Sequence, residues 1–278
     1  MPGKALNQPR KRPFLVGVLN VTPDSFSDGG DFFTAAAVAK RAAEMFEQGA
    51  DFVEVGGEST APGSSPVTFA EELARVKPVL EKLSKLGPVA IDTYKSQVAH
   101  YALELGAQMV NDVSALRADP EMAHILRDHS CKVVVMHSKE SGPTPHVTLS
   151  PRSYTDIVEE IAEFLQERAE FCLSHGISED RIILDPGMGK FISLDPRDSW
   201  ELLRRFEELA ERVKPFPLMI ACSRKGFLGG ETGDRDLISQ IVSFAAVRGG
   251  AAYVRTHDIG MAQLFRSTIL KLEGADND

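Results

Sequence analysis

FLVGVLNVTPDSFSDGG, residues 14–30, opens as an apolar run and turns polar at Asn20. An apolar run of this kind suits a strand of a parallel sheet, buried on both faces. The polar segment from Asn20 to Gly30 is too long for a plain turn, which takes about two to five residues. A doubly wound dinucleotide-binding sheet would carry a GxGxxG fingerprint directly after its first strand, and none stands here. The stretch therefore favours a closed barrel over an open sheet.

Working outward, seven more short apolar runs recur: FVEVGG (52–57), PVAID (88–92), QMVND (108–112), KVVVMH (132–137), RIILD (181–185), LMIACS (218–223) and AYVRTH (252–257). Amphipathic stretches alternate with them at 34–49, 68–87, 95–106, 119–130, 154–176, 199–213, 235–250 and 259–274. In the first of these, Thr34 and Gly49 are expected to cap the two ends, and Val38, Ala42, Met45 and Phe46 share one helical face. Gly87, Gly106 and Gly176 stand where helices should stop. Alternating β and α implies parallel strands with right-handed crossovers. Eight such units predict an α/β fold, a single (β/α)8 barrel over residues 14–274 with long first and second βα loops. Residues 1–13 read as a solvated basic tail and 275–278 as a second disordered tail.

Composition narrows the function. The net charge of −9 argues against a nucleic-acid surface, although a local basic cluster for an anionic small ligand remains compatible with it. No run of about 18 apolar residues suggests a membrane span. Three scattered cysteines (Cys131, Cys172, Cys222) fit neither a disulfide framework nor zinc spacing, so a reduced, cytoplasmic compartment is expected.

In such a barrel the site forms where the strands end. Here the runs end in Asn20, in Glu54 with two glycines after it, in Asp92, in Asn111–Asp112, in Met136–His137, in Asp185, in Ser223–Arg224–Lys225, and in Arg255 with His257. One Asp or Asn after a strand most often caps the next helix or makes an Asx-turn. A whole rim of them points to a polar ligand, because buried carboxylates and amides need partners. Asp92, Asn111 and Asp185 suit the edge of a flat nitrogen heterocycle. Lys225, Arg255 and His257 follow strands seven and eight, where such barrels commonly bind phosphate. For His137 a packed role and a functional one stay open, and His100, His124, His129, His146 and His175 are expected at the surface.

GVLNVTPDSFSDGG, VGGESTAPGS, AIDTYK, NDVSAL, VVMHS, ILDPGMG, SRKGFLG and VRTHD occur in this order. Together they resemble the dihydropteroate synthase family of folate biosynthesis, the target of sulfonamide drugs. The resemblance implies condensation of 6-hydroxymethyl-7,8-dihydropterin pyrophosphate with p-aminobenzoate to give 7,8-dihydropteroate and pyrophosphate, by an SN1-like route. It implies a pterin pocket of Asp92, Asn111, Met136, Asp185 and Lys225. It places pyrophosphate at Asn20, Arg255 and His257, with Mg²⁺ held through Asn20. It places p-aminobenzoate near Thr60, Pro62, Ser223, Phe26 and Phe191, and gives catalysis to Asn20, Asp92, Lys225, Arg255 and His257. The first two βα loops would close over the site. Family members often pair through helices far from the site, so a homodimer is left open.

The sequence departs from the family pattern at four places. Ala61 replaces the usual Arg of STRPG, Glu54 replaces an Asp, DPGMGKF is shorter than DPGFGFGK, and Gly226 lacks a hydroxyl that some members carry. The departures gather on the aminobenzoate side and, with VVMHS and DPGMG, resemble the branch that includes plasmid-borne sulfonamide-insensitive synthases. Two other readings share the pocket. One is a methyltransferase component that presents methyltetrahydrofolate, which would not need the cations after strands seven and eight. The other is a non-catalytic pterin-binding paralogue, supported by Ala61 and the short sixth loop.

Overall fold

The computed structural model describes residues 12–21, 35–59, 64–139, 153–272 and 274. Eight parallel strands close into a barrel in chain order: β1 (Phe14–Asn20), β2 (Phe52–Gly56), β3 (Val89–Asp92), β4 (Met109–Asp112), β5 (Lys132–Met136), β6 (Ile182–Asp185), β7 (Leu218–Ile220) and β8 (Ala251–Thr256). The crossovers are α1 (Ala35–Glu47), α2 (Phe69–Leu83), α3 (Ser96–Glu104), α4 (Met122–Asp128), α5 (Ile157–Ser174), α6 (Pro196–Arg204), α7 (Phe206–Arg212) and α8 (Thr232–Arg248), with α9 (Ile259–Leu272) after β8. Among the described residues no helix is long and apolar enough to cross a membrane.

Each predicted strand is present, with ends shifted by a residue or two; β7 is cut most, stopping at Ile220. The stretch read as one helix over 199–213 is two. Asp195 caps the N-terminus of α6 by accepting from the Arg197 N–H, and Pro196 opens the helix at its first position. The break falls at Arg205, whose side chain turns to Asp156 at 2.9 Å and to Glu208. Val38, Ala42 and Met45 are buried as expected on α1, while Thr34 lies outside the described residues.

The expected N-terminal tail is held at its last two residues. Arg12 pairs with Asp51 at 2.5 Å, and the Pro13 carbonyl accepts from Arg266 at 3.2 Å. Buried Arg266 on α9 also binds Asp51 at 2.5 Å and the Gly49 carbonyl at 2.8 Å. It thus ties the last helix to the start of β1 and the turn before β2. Residues 1–11 and 275–278 lie outside the described residues.

Side chains alternate along a strand, so one phase faces the helices and the other fills the barrel. Val16, Ala90, Met109, Val134, Ile183, Met219 and Tyr253 form a buried cluster of their own inside the barrel, with Phe52 packed against it. This is a dry floor. Two residues further along each strand come Val18, Glu54, Asp92, Asn111, Met136, Asp185, Ala221 and Arg255. The interior therefore changes from apolar to ionic within one step of the pleat.

Replacing Arg266 by Leu would leave Asp51 without a buried counter-charge. We expect a loss of about 3 kcal/mol, read as an earlier midpoint in urea unfolding.

Candidate active site

The register sets Asp92 beside Gly56 on one side and Asn111 on the other, and Met136 beside Asp185. Asp92, Asn111, Met136, Asp185, Lys225 and Arg255 line one cleft, with Val113, Gly187, Met188, Phe191 and Ala221 completing its wall. The space between these side chains, open solvent at the mouth included, is about 360 Å³. All five residues expected around a heterocycle are brought together here.

Arg255 and Glu54 organise the layer. Arg255 Nε donates to Glu54 Oε1 at 2.7 Å and Nη2 donates to Asp92 Oδ2 at 2.9 Å; Nη2 also reaches Glu54 Oε1. Burial works against the Arg255 charge, but the carboxylates of Glu54 and Asp92 outweigh it and hold the guanidinium protonated. The other oxygen of Glu54 accepts from Asn111 Nδ2 at 3.1 Å. That contact fixes which way the amide faces, and Asn111 Oδ1 is left buried with no hydrogen-bond partner. A buried acceptor in this state is costly unless a ligand supplies a donor. Asp185 is likewise half committed: Oδ1 accepts from the Gly187 N–H at 2.7 Å. Sequence reasoning marks Glu54 as one of the polar strand ends and as a variant of Asp, without giving it a role in the site. Its phase, two residues after Phe52 on an otherwise apolar strand, is the signal that it points inward with Asp92 and Arg255.

Burial pushes the Asp92 carboxyl up to about 8, with repulsion from Glu54 adding to it and Arg255 opposing. Burial also raises Asp185 to about 6, against the Gly187 N–H and Lys225. Lys225 moves the other way, down to about 8, because burial and then Arg255 disfavour its charge. Its Nζ lies 4.5 Å from the centre of the Phe191 ring, a cation–π contact that closes one side of the cleft.

The mouth lies two residues beyond the ionic layer. Asn20 is exposed there; a Cβ on Gly56 would sit 3.7 Å from Asn20 Oδ1 and 3.5 Å from Asp92 Cβ, so Gly56 keeps the space between them open. Ser223 and His257 face each other across the ends of β7 and β8. The backbone N–H of His257 donates to Ser223 Oγ at 3.3 Å, and the same hydroxyl is hydrogen-bonded to His257 Nδ1 at 2.9 Å. Burial and then Arg255 push the His257 ring down to about 3, so it is a neutral hydrogen-bonding group beside the mouth. Asn20, Ser223 and His257 stand outside the cleft lining, as neighbours of it.

Several polar strand ends turn out to be structural. Asp112 accepts from Ser114 N at 2.8 Å, Ser114 Oγ at 2.6 Å and Leu116 N at 3.1 Å, bracing a turn in which Ala115 and Leu116 have positive φ. Arg224, at φ 58°, turns outward to Asp236 at 3.0 Å, which sends Lys225 inward. His137 is packed: it is buried against Phe164 and donates from Nδ1 to the Pro186 carbonyl at 3.1 Å. His100 and His129 are half-buried rather than at the surface. Phe26, Thr60 and Pro62, expected on the aminobenzoate side, and His146 lie outside the described residues.

The sequence pattern of the pterin binding enzyme family matches residues 16–257. A dihydropteroate synthase of Synechocystis sp. is 34% identical over 270 residues, covering 94% of this chain and 91% of its own. The chain belongs to the dihydropteroate synthase family. Like the rest of that family, it is a transferase. The Xanthomonas albilineans dihydropteroate synthase solved with 4-aminobenzoic acid superposes with a TM-score of 0.86 at 33% identity, over 96% of this chain and 95% of that one. The Anaplasma phagocytophilum dihydropteroate synthase solved with 6-hydroxymethylpterin-monophosphate superposes with a TM-score of 0.82 at 31% identity, over 94% and 99%.

The raised Asp92 gives a signed pH dependence. A carboxyl whose folded pKa lies above its unfolded one stabilises the fold at low pH and loses that contribution as pH rises toward the folded value. The window here runs from the ordinary value of 3.8 up to about 8. Asp92→Asn removes this liability while keeping an acceptor for Arg255. Its melting temperature relative to wild type is expected to climb between pH 5 and pH 8.5, followed by scanning fluorimetry.

Proposed function

We propose that this chain joins 6-hydroxymethyl-7,8-dihydropterin pyrophosphate to p-aminobenzoate, giving 7,8-dihydropteroate and pyrophosphate. The observation that carries the reading is the buried, unpartnered Asn111 Oδ1 between Asp92 and Asp185 at the floor of the cleft. A pterin edge offers ring N–H and amino donors to such a set of acceptors. Met136 and Val113 provide the apolar wall its flat ring needs, and Phe191 with the Lys225 stem faces the aminobenzoate side.

In the reaction the C–O bond to the diphosphate breaks first, and the exocyclic carbon becomes cationic. Asp92 and Asp185 offset that positive charge in a site closed from water below by the apolar floor. The aromatic amine then forms the C–N bond and loses its proton. Arg255, Lys225 and the His257 ring stabilise the departing diphosphate. Ser223 acts through His257 by holding the orientation of its ring.

We propose Mg²⁺ as the cofactor. Asn20 fits it: its exposed amide oxygen is a hard, neutral donor at the mouth, and Mg²⁺ is held by few protein oxygens together with substrate phosphates. When bound, the ion supplies charge neutralisation on the diphosphate. We place the protein in the cytoplasm, in keeping with three free, buried thiols, two of which burial pushes up to about 12. A homodimer is also proposed, since Leu237 and Ile241 on α8 and Leu264 on α9 are exposed apolar side chains on adjacent helices. Light scattering at two concentrations tests it.

The direct test supplies Mg²⁺, dihydropterin pyrophosphate and p-aminobenzoate and follows dihydropteroate by mass; binding without product would favour the non-catalytic paralogue. Asp185→Asn places an amide donor against the ring and is expected to weaken pterin binding at least tenfold by calorimetry. Removing Arg255, in a Glu54→Gln background that leaves Asp92 as the one carboxyl deprived of it, should weaken the pyrophosphate substrate far more than bare 6-hydroxymethylpterin. Equal losses for the two would take the phosphate role from Arg255.

A further inference from the structure

Away from the barrel mouth, three metal-ligating side chains meet between α3 and α4. His100 and Glu104 stand one turn apart on α3, and His129 follows α4 directly. One donor atom from each lies within 4.8 Å of the other two. The two imidazole rings meet edge to face with centroids 5.6 Å apart. In a βα barrel the helix C-terminal ends lie at the opposite face from the active site, so this group is no part of the cleft described above.

The hydrogen bonding around His129 leaves a cation-shaped gap. Its Nδ1 lies 2.8 Å from the Ile125 carbonyl, which can only accept, so Nδ1 carries the proton. In the neutral ring Nε2 is then a bare lone pair, and it lies 3.2 Å from Glu104 Oε1, a second acceptor. Two acceptors at that distance need a proton or a metal ion between them. His100 adds a further unmet group, because its Nδ1 is buried with no hydrogen-bond partner. A backbone carbonyl holding the far ring nitrogen is also the usual arrangement behind a metal-ligating histidine.

We propose that His100, Glu104 and His129 bind a divalent transition metal of the zinc class. Two imidazoles and one carboxylate form a common zinc donor set, with water in the fourth position. Tetrahedral bonds of about 2.0–2.1 Å put donors roughly 3.4 Å apart, close to the separation His129 and Glu104 already have, so the separations to His100, at most 4.8 Å, must close by up to about 1.4 Å. Glu104, 62% exposed, has room to move with them. The ion would staple α3 to α4 on the outer layer of the barrel, a structural role independent of the synthase reaction.

The test uses tag-free, chelator-stripped protein titrated with ZnCl₂ by calorimetry, with CoCl₂ in parallel for its visible spectrum. We expect one saturable site per chain and the intense visible bands of tetrahedral cobalt. The melting temperature should rise by about 5 °C at a hundredfold excess over Kd. His129→Ala and Glu104→Gln should each weaken zinc at least tenfold and leave dihydropteroate formation unchanged. Because Glu104 is exposed, Glu104→Gln remains informative even if a histidine variant misfolds. His124→Ala, which removes one ring of the separate His124–His175 pair, should have no effect. Absence of saturable binding, or binding that survives His129→Ala and Glu104→Gln, overturns the proposal. The first outcome would leave His129 and Glu104 as a hydrogen-bonded pair with no ion.

Discussion

The contact between Arg255 and the carboxylates of Glu54 and Asp92 holds the rest of the site in place. Three carboxylates share one layer of a barrel interior above an apolar floor. Burying them there is tolerable only with a guanidinium among them, since an unpaired buried charge is strongly destabilising. The effect spreads sideways through Glu54, which grips Arg255 with one oxygen and the Asn111 amide with the other. The orientation of Asn111, and with it the unmet acceptor on the cleft floor, is thus set by a residue that does not itself line the cleft. The family's usual aspartate is one methylene shorter, so the longer Glu54 side chain brings its carboxylate further from its own strand.

A proton is shared unevenly across this layer. Asp92 titrates above neutrality, Asp185 below it, and Lys225 just above. The pocket therefore sits close to the point at which a ligand's own donors decide which carboxyl is ionised. That suits the proposed reaction, in which a neutral ring becomes a cation and then loses the charge again.

Much of this architecture was legible in the sequence because strands buried on both faces write themselves as short apolar runs with polar ends. The eight runs located the barrel, and Asp92, Asn111, Met136, Asp185 and Lys225 were found on one wall as their positions implied. The features that escaped notice are tertiary. The centrality of Glu54 depends on its phase across three strands. The break at Arg205 depends on Asp156, far away in the chain. Burial and the nearby Arg255 leave His257 neutral beside Ser223, and no local pattern encodes that. Asp112, counted among the polar strand ends, is a turn brace, the ordinary fate of an aspartate after a strand.

The floor and the rim differ in how freely they can drift. Glu54, Asp92, Asn111 and Arg255 are held by one another, so a single exchange among them disturbs several residues at once, and compensating changes would have to arrive together. Gly226 is the opposite case: a Cβ added there meets nothing within 4 Å. The pterin half of such a barrel is therefore evolutionarily stiff, whereas the half facing the second substrate can sample new side chains one at a time. Selection by a competing small molecule would find its variants on that second half first.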